Sequence, residues 1–150
     1  MNGTAIIRFV KNKDINQLID LCEAHSHYEQ CEYNSVNKAK RLAEDLFSNP
    51  SKLHCLVVEK ENALIGYATY MKQYSTWDAQ EYVYMDCLFM NESSRGFGLG
   101  EKLVKRIQEE GKKLGCNLVQ WQTPEFNTRA IKFYHRIGAS SKDKKRFFLE

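Results

Sequence analysis

The 150-residue sequence lacks the features that mark several classes of protein. Its five cysteines, at positions 22, 31, 55, 87 and 116, include no Cys-x-x-Cys pair. The pattern therefore predicts neither a disulfide framework nor a zinc knuckle, and free thiols in a reducing compartment fit it best. The apolar stretch 5–10 is short and is interrupted by Arg8, so it predicts neither a signal peptide nor a membrane span. We expect a cytoplasmic protein without a membrane partner.

The sequence also lacks a large excess of charge of one sign. Its 22 basic and 19 acidic residues leave a net charge of +3. This balance disfavours a general nucleic-acid binder and is compatible with one anionic ligand. No linker, internal repeat or low-complexity segment interrupts the chain, so we treat residues 1–150 as one domain.

A metal site is not predicted either, although one local cluster has a spacing that superficially suits ligands. The cluster consists of Cys22, His25, His27 and Cys31. On a continuous helix Cys22 and His25 share one face, whereas His27 and Cys31 lie nearly opposite. We therefore expect cysteines that pack and histidines that face solvent.

What the sequence does contain is a glycine-rich turn, Arg95-Gly96-Phe97-Gly98-Leu99-Gly100. It follows an apolar, strand-like run at 82–90 and opens an amphipathic helix that extends to about Leu114. Such a turn leaves backbone N–H groups unpaired at the positive end of a helix dipole, which suits an anion. Arg95 adds a planar donor for phosphate oxygens. A plain strand-to-helix loop with glycines for packing is the alternative.

This turn differs from two well-known phosphate motifs. Gly100 is followed by Glu101-Lys102 rather than Lys-Ser/Thr, so no hydroxyl is placed for magnesium. The turn also lies beyond residue 90 of 150, which leaves too little chain for a doubly wound dinucleotide-binding domain. The sequence therefore predicts a phosphorylated carrier held by a smaller α/β unit.

Hydrophobic periodicity and turn residues predict the element order β-α-α-β-β-β-α-β-α-β. The predicted strands are 6–10, 54–59, 63–71, 82–90, 116–122 and 146–149. The predicted helices begin near residue 15, cover 36–47, cover 99–114 and end near residue 137. This order indicates an α/β (α+β) fold with a mixed sheet and helices on both faces.

Two motifs make the chain resemble the GNAT superfamily of acetyl-CoA-dependent N-acetyltransferases over nearly its whole length. The first is Arg-x-x-Gly-x-Gly, and the second is Asn-x-x-Ala-x-x-x-Tyr-x-x-x-Gly. Here they comprise Arg95, Gly98 and Gly100, and then Asn127, Ala130, Tyr134 and Gly138. Within the family, the run 74–78, the segment Tyr84-Met85-Asp86 and the Arg-Gly-Phe-Gly turn are most similar to the diamine (spermidine/spermine) acetyltransferase branch.

The resemblance implies a single-domain GNAT-like fold with a mostly antiparallel sheet of about six or seven strands. It also implies acetyl-CoA as the donor, with coenzyme A as the product. The implied binding residues for this carrier are Leu88, Met90, Arg95, Gly96, Phe97, Gly98, Leu99, Gly100, Glu101, Asn127 and Tyr134. A bulge in the strand around Leu88 to Met90, as the family implies, would direct free N–H groups at the thioester oxygen.

Acetyl transfer to an amine requires that the amine first lose a proton. An alkylammonium with a pKa near 10.4 is neutral only about once in 10³ at pH 7. Asp86 is the candidate acceptor, through a bound water or by holding the ammonium, because a carboxylate is too weak a base for efficient direct abstraction. An ordinary charged residue at a strand end is the alternative for Asp86.

Tyr134 is the candidate acid that protonates the departing thiolate. Its alternative role is that of a core aromatic. Cys87 invites an acyl-enzyme interpretation, but strand alternation places it with Val83 and Met85 on the face opposite Asp86, unless a bulge resets the alternation. Direct transfer in a ternary complex is therefore preferred.

An acidic acceptor pocket is predicted from two segments of the chain. Carboxylates flanked by aromatic rings suit an aliphatic cation. The candidate substrate residues are Tyr28, Glu29, Glu32, Trp77, Asp78 and Asp86. The sequence departs from the diamine branch at Asp86-Cys87, where that branch has Glu-Asp, and at Trp77, which here precedes Asp78.

We therefore expect an N-acetyltransferase that acts on a primary amine of a small molecule, either a polyamine or a lysine-like aminoalkyl compound. A protein or peptide amine is the alternative acceptor within the same fold. A non-catalytic acyl-CoA-binding sensor is the alternative from another class. No nucleic-acid partner is expected, and the resemblance also admits a homodimer.

Overall fold

A computed structural model describes residues 3–150, and its described strands form one five-stranded sheet. The strands are β1 (Ile6–Phe9), β2 (His54–Lys60), β3 (Ala63–Ser75), β4 (Gln80–Met90) and β5 (Val119–Gln120), in this spatial order. All neighbours are antiparallel except β4 and β5, which are parallel. The α-helices are α1 (Ile15–Tyr28), α2 (Lys38–Phe47), α3 (Leu99–Lys113) and α4 (Thr128–Arg136). The predicted mixed and mostly antiparallel sheet is confirmed.

Helices cover both faces of the sheet, as predicted. Successive residues of β2 alternate between two buried clusters because side chains alternate across a strand. Leu56 and Val58 pack in the cluster that contains Leu103 and Ile107 of α3. Cys55 and Val57 pack in the opposite cluster, which contains residues of α1 and α2 such as Leu18 and Leu46. The sheet is therefore the middle layer of the domain.

The sheet has fewer strands than the predicted six or seven. The strand predicted at 116–122 is reduced to Val119 and Gln120, because only Val83 and Tyr84 of β4 lie close enough to pair with it. The strand predicted at 146–149 does not form, and residues 139–150 contain no helix or strand. Its apolar side chains find no partner in the described chain, and Leu149 is fully exposed.

The pairing of β3 with β4 contains a β-bulge at Asp86. Thr69 pairs with Cys87 and Tyr70 pairs with Met85, so Asp86 has no opposite residue in β3. Such an extra residue reverses the alternation of side chains along the strand. Met85 packs in the cluster on the α3 face, whereas Cys87 packs in the cluster on the α1 and α2 face. The prediction that Met85 and Cys87 share a face is therefore wrong, and the bulge lies just before the predicted segment 88–90.

An ion pair fixes the start of α1, the helix that supplies one wall of the cavity described below. Arg8 of β1 donates to both carboxylate oxygens of Asp14, at 2.7 and 3.0 Å. The same carboxylate accepts the backbone N–H of Lys11 at 2.7 Å. The hydrogen bonds from Arg8 lower the pKa of the Asp14 carboxyl below its ordinary value. α1 is thus held to the sheet at its first residue.

None of the helices in residues 3–150 has the length and apolarity that crossing a bilayer demands.

Candidate active site

A cavity of about 730 Å³ lies between β4, α1, α4 and the start of α3. It collects residues from distant parts of the sequence. The predicted site residues that line it are Tyr28, Glu29, Asp86, Leu88, Met90, Arg95, Gly96, Gly98, Leu99, Gly100, Glu101, Asn127 and Tyr134. Candidate residues for binding the carrier and candidate residues for binding the amine therefore meet in one cavity.

Four predicted site residues do not line this cavity: Glu32, Trp77, Asp78 and Phe97. Trp77 is 98% exposed in the turn between β3 and β4, where Asp78 pairs with Ser75. β4 runs from this turn to the cavity, and at about 3.3 Å per residue Asp78 is roughly 25 Å from Asp86. The structure thus does not bring Trp77 and Asp78 to the cavity, because an extended strand separates them from it.

The glycine-rich turn presents backbone atoms to the cavity. Gly96 and Gly98 have φ angles of 87° and 76°, which residues with side chains rarely adopt. A Cβ atom at either position would meet no other atom within 4 Å, so both glycines border open space. Gly100 differs, since a Cβ there would lie 3.2 Å from Cζ of Phe133, and its hydrogen lets α4 pack against α3.

The start of α3 carries unpaired backbone donors. Gly98 precedes the helix and supplies no side-chain cap. The N–H of Lys102 makes the first helical hydrogen bond, to the carbonyl oxygen of Gly98 at 3.1 Å. The N–H groups of Leu99, Gly100 and Glu101 precede it and lie at the positive end of the helix dipole. Main-chain donors in this arrangement suit an anion, as the sequence predicts.

The edge of β4 that faces the cavity is also open. β5 pairs with β4 at Val83 and Tyr84 and at no later residue of β4. Alternate residues of an antiparallel strand direct their backbone groups away from the paired neighbour. In the segment 85–90, these groups therefore face the cavity rather than another strand, and their N–H donors are available to a carbonyl oxygen.

Arg95 connects the glycine-rich turn to the rest of the cavity wall. Its Nε donates to the carbonyl oxygen of Met90 at 2.9 Å. Its guanidinium lies over the ring of Tyr28, with Cζ 4.5 Å from the ring centroid. The hydrogen bond uses one edge of the guanidinium, and its Nη atoms donate to no acceptor within residues 3–150. They remain suited to the predicted phosphate oxygens.

Tyr134 lies on α4 with its ring edge-on to Trp121, at 5.2 Å between centroids. Burial raises the pKa of its phenol, and the negative charge of Glu29 adds to this shift. The hydroxyl therefore stays protonated at neutral pH and is available as a donor. The aromatic contact shows that Tyr134 packs as its alternative role predicts, and its acid role stays a prediction.

Asn127 joins two walls of the cavity. It is 7% exposed, and its Oδ1 accepts the hydroxyl of Tyr28 at 2.9 Å. Its Nδ2 donates to Oγ1 of Thr123 at 3.0 Å. Asn127 precedes α4 but makes no side-chain cap. Its side chain instead ties α1 to the loop before α4.

Cys87 shows no sign of a nucleophile. Burial raises the pKa of its thiol to about 12, and the nearby negative charge of Asp86 adds to this shift. A thiol with such a pKa holds little thiolate at neutral pH. Asp86 itself is exposed to the cavity at the bulge.

His25 is a cavity residue to which sequence reasoning gave no site role. Its Nδ1 lies 2.7 Å from the hydroxyl of Tyr67, and its Nε2 lies 2.7 Å from Oε2 of Glu29. Its ring stacks on Phe89 at 5.0 Å. The expectation that His25 faces solvent is therefore wrong. The spacing of His25 and Glu29, four residues apart on one helix face, was the signal that could have linked them.

The cluster around His25 does not form a metal site in the described chain. Within residues 3–150 no three His, Cys, Asp or Glu side chains are placed to share a metal ion. Cys31 and His27 are exposed, whereas Cys22 packs beside the apolar cluster on the α1 face.

Comparison with known proteins agrees with this arrangement. A family model described as the acetyltransferase (GNAT) family matches residues 15–139. The chain is 28% identical over 142 residues to thialysine N-epsilon-acetyltransferase of Bos taurus, covering 89% of this chain and 83% of that protein. It is 31% identical over 90 residues to L-ornithine N5-acetyltransferase of Arabidopsis thaliana, covering 60% of this chain and 37% of that protein.

The fold also matches solved structures. One is an aminoglycoside N-acetyltransferase, AAC(6')-Iy, in complex with CoA, with a TM-score of 0.84. It is 18% identical in sequence, and the match covers 100% of this chain and 97% of that one. Because the family model spans most of the sequence and the same fold recurs in these structures, the chain belongs to the GNAT family of acetyltransferases.

Proposed function

We propose that this protein transfers the acetyl group of acetyl-CoA to a primary amine on a small aliphatic molecule, such as a lysine-like amino acid. The observation that carries the proposal is that unpaired main-chain donors, a protonated phenol and the carboxylates of Glu29 and Asp86 line one cavity. The relatives named for thialysine and ornithine acetylation support an aminoalkyl amino acid as the acceptor. A polyamine is the second candidate.

The residues present fit the carrier that the GNAT family uses. The open space at Gly96 and Gly98 lets a diphosphate approach the N–H groups of α3 closely. The Nη atoms of Arg95 suit its oxygens. Acetyl-CoA, when bound, supplies an acetyl group activated as a thioester. Leu88 and Met90 lie on the open segment of β4, whose amides are placed to polarise a carbonyl oxygen.

Two residues handle the protons of the transfer. Asp86 receives the proton that the acceptor ammonium loses, through a water, and passes it to solvent. Tyr134 donates its hydroxyl proton to the sulfur as the carbon–sulfur bond breaks. The second proton that the nitrogen loses, when the carbon–nitrogen bond becomes an amide, returns through water to Tyr134. A thiolate in water is less basic than a phenolate, but the burial that raises the pKa of Tyr134 raises the pKa of a buried thiol as well. The proton therefore moves between groups of similar basicity.

Glu29 and Asp86 form the acceptor end of the cavity. The rings of Tyr28 and Phe89 line the same cavity, an environment that suits an aliphatic cation. Cys87 stands where the diamine branch has a second acid, and its side chain packs in the apolar cluster on the α1 and α2 face. The acceptor end thus offers fewer carboxylates than a molecule with several amines would use. This difference favours an aminoalkyl amino acid over a polyamine.

A panel of amines tests the proposal. Purified protein is mixed with acetyl-CoA and with thialysine, lysine, ornithine, spermidine, spermine or a lysine-containing peptide, and thiol release is measured. We expect turnover with at least one amino acid and a higher kcat/KM for it than for spermidine. Preference for spermidine or for the peptide would move the acceptor class to the alternatives.

The same assay separates an enzyme from a sensor. Acetyl-CoA at a hundredfold excess over its Kd should stabilise the fold by about 2.7 kcal/mol. Stabilisation without turnover on any amine would indicate a non-catalytic acyl-CoA-binding protein. No stabilisation and no turnover would remove the proposal altogether.

A further inference from the structure

A chain of three side chains leads from the core of the sheet to the acceptor end of the cavity. Tyr67 of β3 is 1% exposed, and its hydroxyl lies 2.7 Å from Nδ1 of His25. The Nε2 of His25 lies 2.7 Å from Oε2 of Glu29. The histidine ring stacks on Phe89 at 5.0 Å and is edge-on to Tyr67 at 5.8 Å. Its plane is therefore fixed on two sides.

The polarity of this chain follows from the donors and acceptors available. Burial raises the pKa of Tyr67 far above its ordinary value, so its oxygen keeps its proton. When that O–H donates to Nδ1 of a neutral imidazole, the imidazole proton must be on Nε2. The Nε2–H then donates to Oε2 of Glu29.

Glu29 needs such support because the backbone at the end of α1 does not restrain its side chain. α1 ends at Tyr28, and Gln30 turns the chain away with a φ of 60°. A glutamate at a helix end has three free side-chain torsions. The hydrogen bond from His25 fixes Oε2 of this carboxylate. Because the two oxygens belong to one planar group, it also restricts where Oε1 points.

We propose that His25 is a positioning residue that holds the Glu29 carboxylate in the orientation that binds the acceptor ammonium, with Tyr67 fixing the tautomer of His25. This inference rests on the proposed function for the role of Glu29. His25 does not itself touch the amine. It acts on acceptor binding and not on carrier binding, since its side-chain hydrogen bonds within residues 3–150 go to Tyr67 and Glu29 and not to the glycine-rich turn or α3.

The test combines kinetics with a direct view of the tautomer. His25→Leu should raise the KM for the preferred amine about tenfold, the usual effect of losing a hydrogen bond to a charged group. The Kd of acetyl-CoA should not change. His25→Gln, whose amide can donate to Glu29 and accept from Tyr67, should recover most of the affinity for the amine. His27→Leu, an exposed histidine on the same helix, is the matched control.

Nitrogen-15 NMR of labelled histidine supplies the second measurement. At alkaline pH, where an ordinary imidazole is neutral, His25 should carry its proton on Nε2. Tyr67→Phe should turn this single tautomer into a mixture and raise the KM for the amine by a smaller factor than His25→Leu does. This spectrum does not depend on turnover.

The outcomes separate this inference from the proposed function. A His25→Leu enzyme with the same amine KM as His27→Leu, or a wild-type His25 protonated on Nδ1, would overturn the positioning role. If His25→Leu does not fold, the amine KM of His25→Gln and the tautomer of His25 in Tyr67→Phe test the positioning role instead. A wild-type protein that acetylates no amine overturns the proposed function, whereas the tautomer still decides the polarity of the Tyr67–His25–Glu29 chain.

Discussion

The carrier end of the cavity is formed mainly by main-chain groups, whereas the acceptor end is formed mainly by side chains. At the carrier end, main-chain groups of the segment 95–101 face the cavity, and glycines with positive φ angles leave room in front of them. At the acceptor end, side chains from α1, β3 and β4 are held by hydrogen bonds between residues distant in sequence, such as Tyr67 and His25. The carrier end is therefore a local backbone conformation, whereas the acceptor end is a network of side chains.

The difference determines how each end responds to substitution. A main-chain site depends on backbone shape, so one added side chain can close it. A side-chain network loses one contact at a time, and its specificity changes while the fold remains. We therefore expect changes at the carrier end to abolish binding and changes at the acceptor end to redirect it.

The largest effect is expected at Gly98. Gly98→Val places a branched side chain in the open space before α3 and strains a φ of 76°. We expect the affinity for acetyl-CoA, measured by calorimetry, to fall at least about 100-fold, or about 2.7 kcal/mol. Gly115→Val is the control, since Gly115 has a φ of 83° and open space but lies outside the cavity. If both variants lose stability equally and both still bind, the carrier end is not at this turn.

A smaller but still large effect is expected at Tyr134. Tyr134→Phe removes the proton donor and should lower kcat about 100-fold while the Kd of acetyl-CoA stays within twofold. Tyr74→Phe, at an exposed position on β3, is the control. Unchanged kcat in steady-state assays would leave Tyr134 as a packing residue alone.

The pH profile gives a second view of Tyr134. Burial raises the pKa of its phenol above the ordinary value near 10, so the proton needed for transfer is lost only at higher pH. The fall of kcat on the alkaline side should therefore lie above about pH 10 in the wild type. The corresponding limb should be absent from Tyr134→Phe, and its persistence there would assign it to another group.

Asp86→Asn tests the acceptor end. We expect kcat/KM for the amine to fall about tenfold or more at pH 7, because the proton acceptor is lost. The melting temperature should hardly change, since Asp86 is exposed and has no opposite residue in β3. Asp78→Asn, in the turn that precedes the same strand, is the matched control. An equal loss of kcat/KM in both variants would show that Asp78 contributes to the active site despite its distance from the cavity.

The smallest effect is expected at the link between the two ends. Tyr28→Phe removes the hydroxyl that donates to Asn127 and keeps the ring under Arg95. We expect the free energy of unfolding to fall by about 1 kcal/mol and the KM for the amine to rise two- to threefold, roughly the value of one neutral hydrogen bond. Tyr82→Phe, which loses an exposed bond to Gln73, should change neither quantity. Denaturant titration and steady-state kinetics measure both.

The carrier end could be predicted from sequence because its signal is local. The glycines at 96 and 98 and the amphipathic helix after them lie within one short segment, and the structure places them as expected. The helices on both faces of the sheet were predictable for the same reason, since each depends on periodicity within its own residues.

The acceptor end was less predictable because its contacts join distant residues. Nothing near His25 in the sequence points to Tyr67, 42 positions away. Trp77 and Asp78 were predicted for the site because the run 74–78 resembles the diamine branch, but the length of β4 carries them away from it. The resemblance implied a bulge around Leu88 to Met90, and the structure places the extra residue at Asp86, because an alternating pattern does not reveal where one extra residue interrupts it.

The bulge at Asp86 has a consequence for how new specificities arise in this molecule. The extra residue contributes to neither apolar cluster, so its identity is nearly independent of the forces that keep the sheet together. The chemistry of the cavity, rather than the packing of the sheet, therefore constrains this side chain. A single position in the middle of a central strand can thus carry a reactive group without weakening the fold around it.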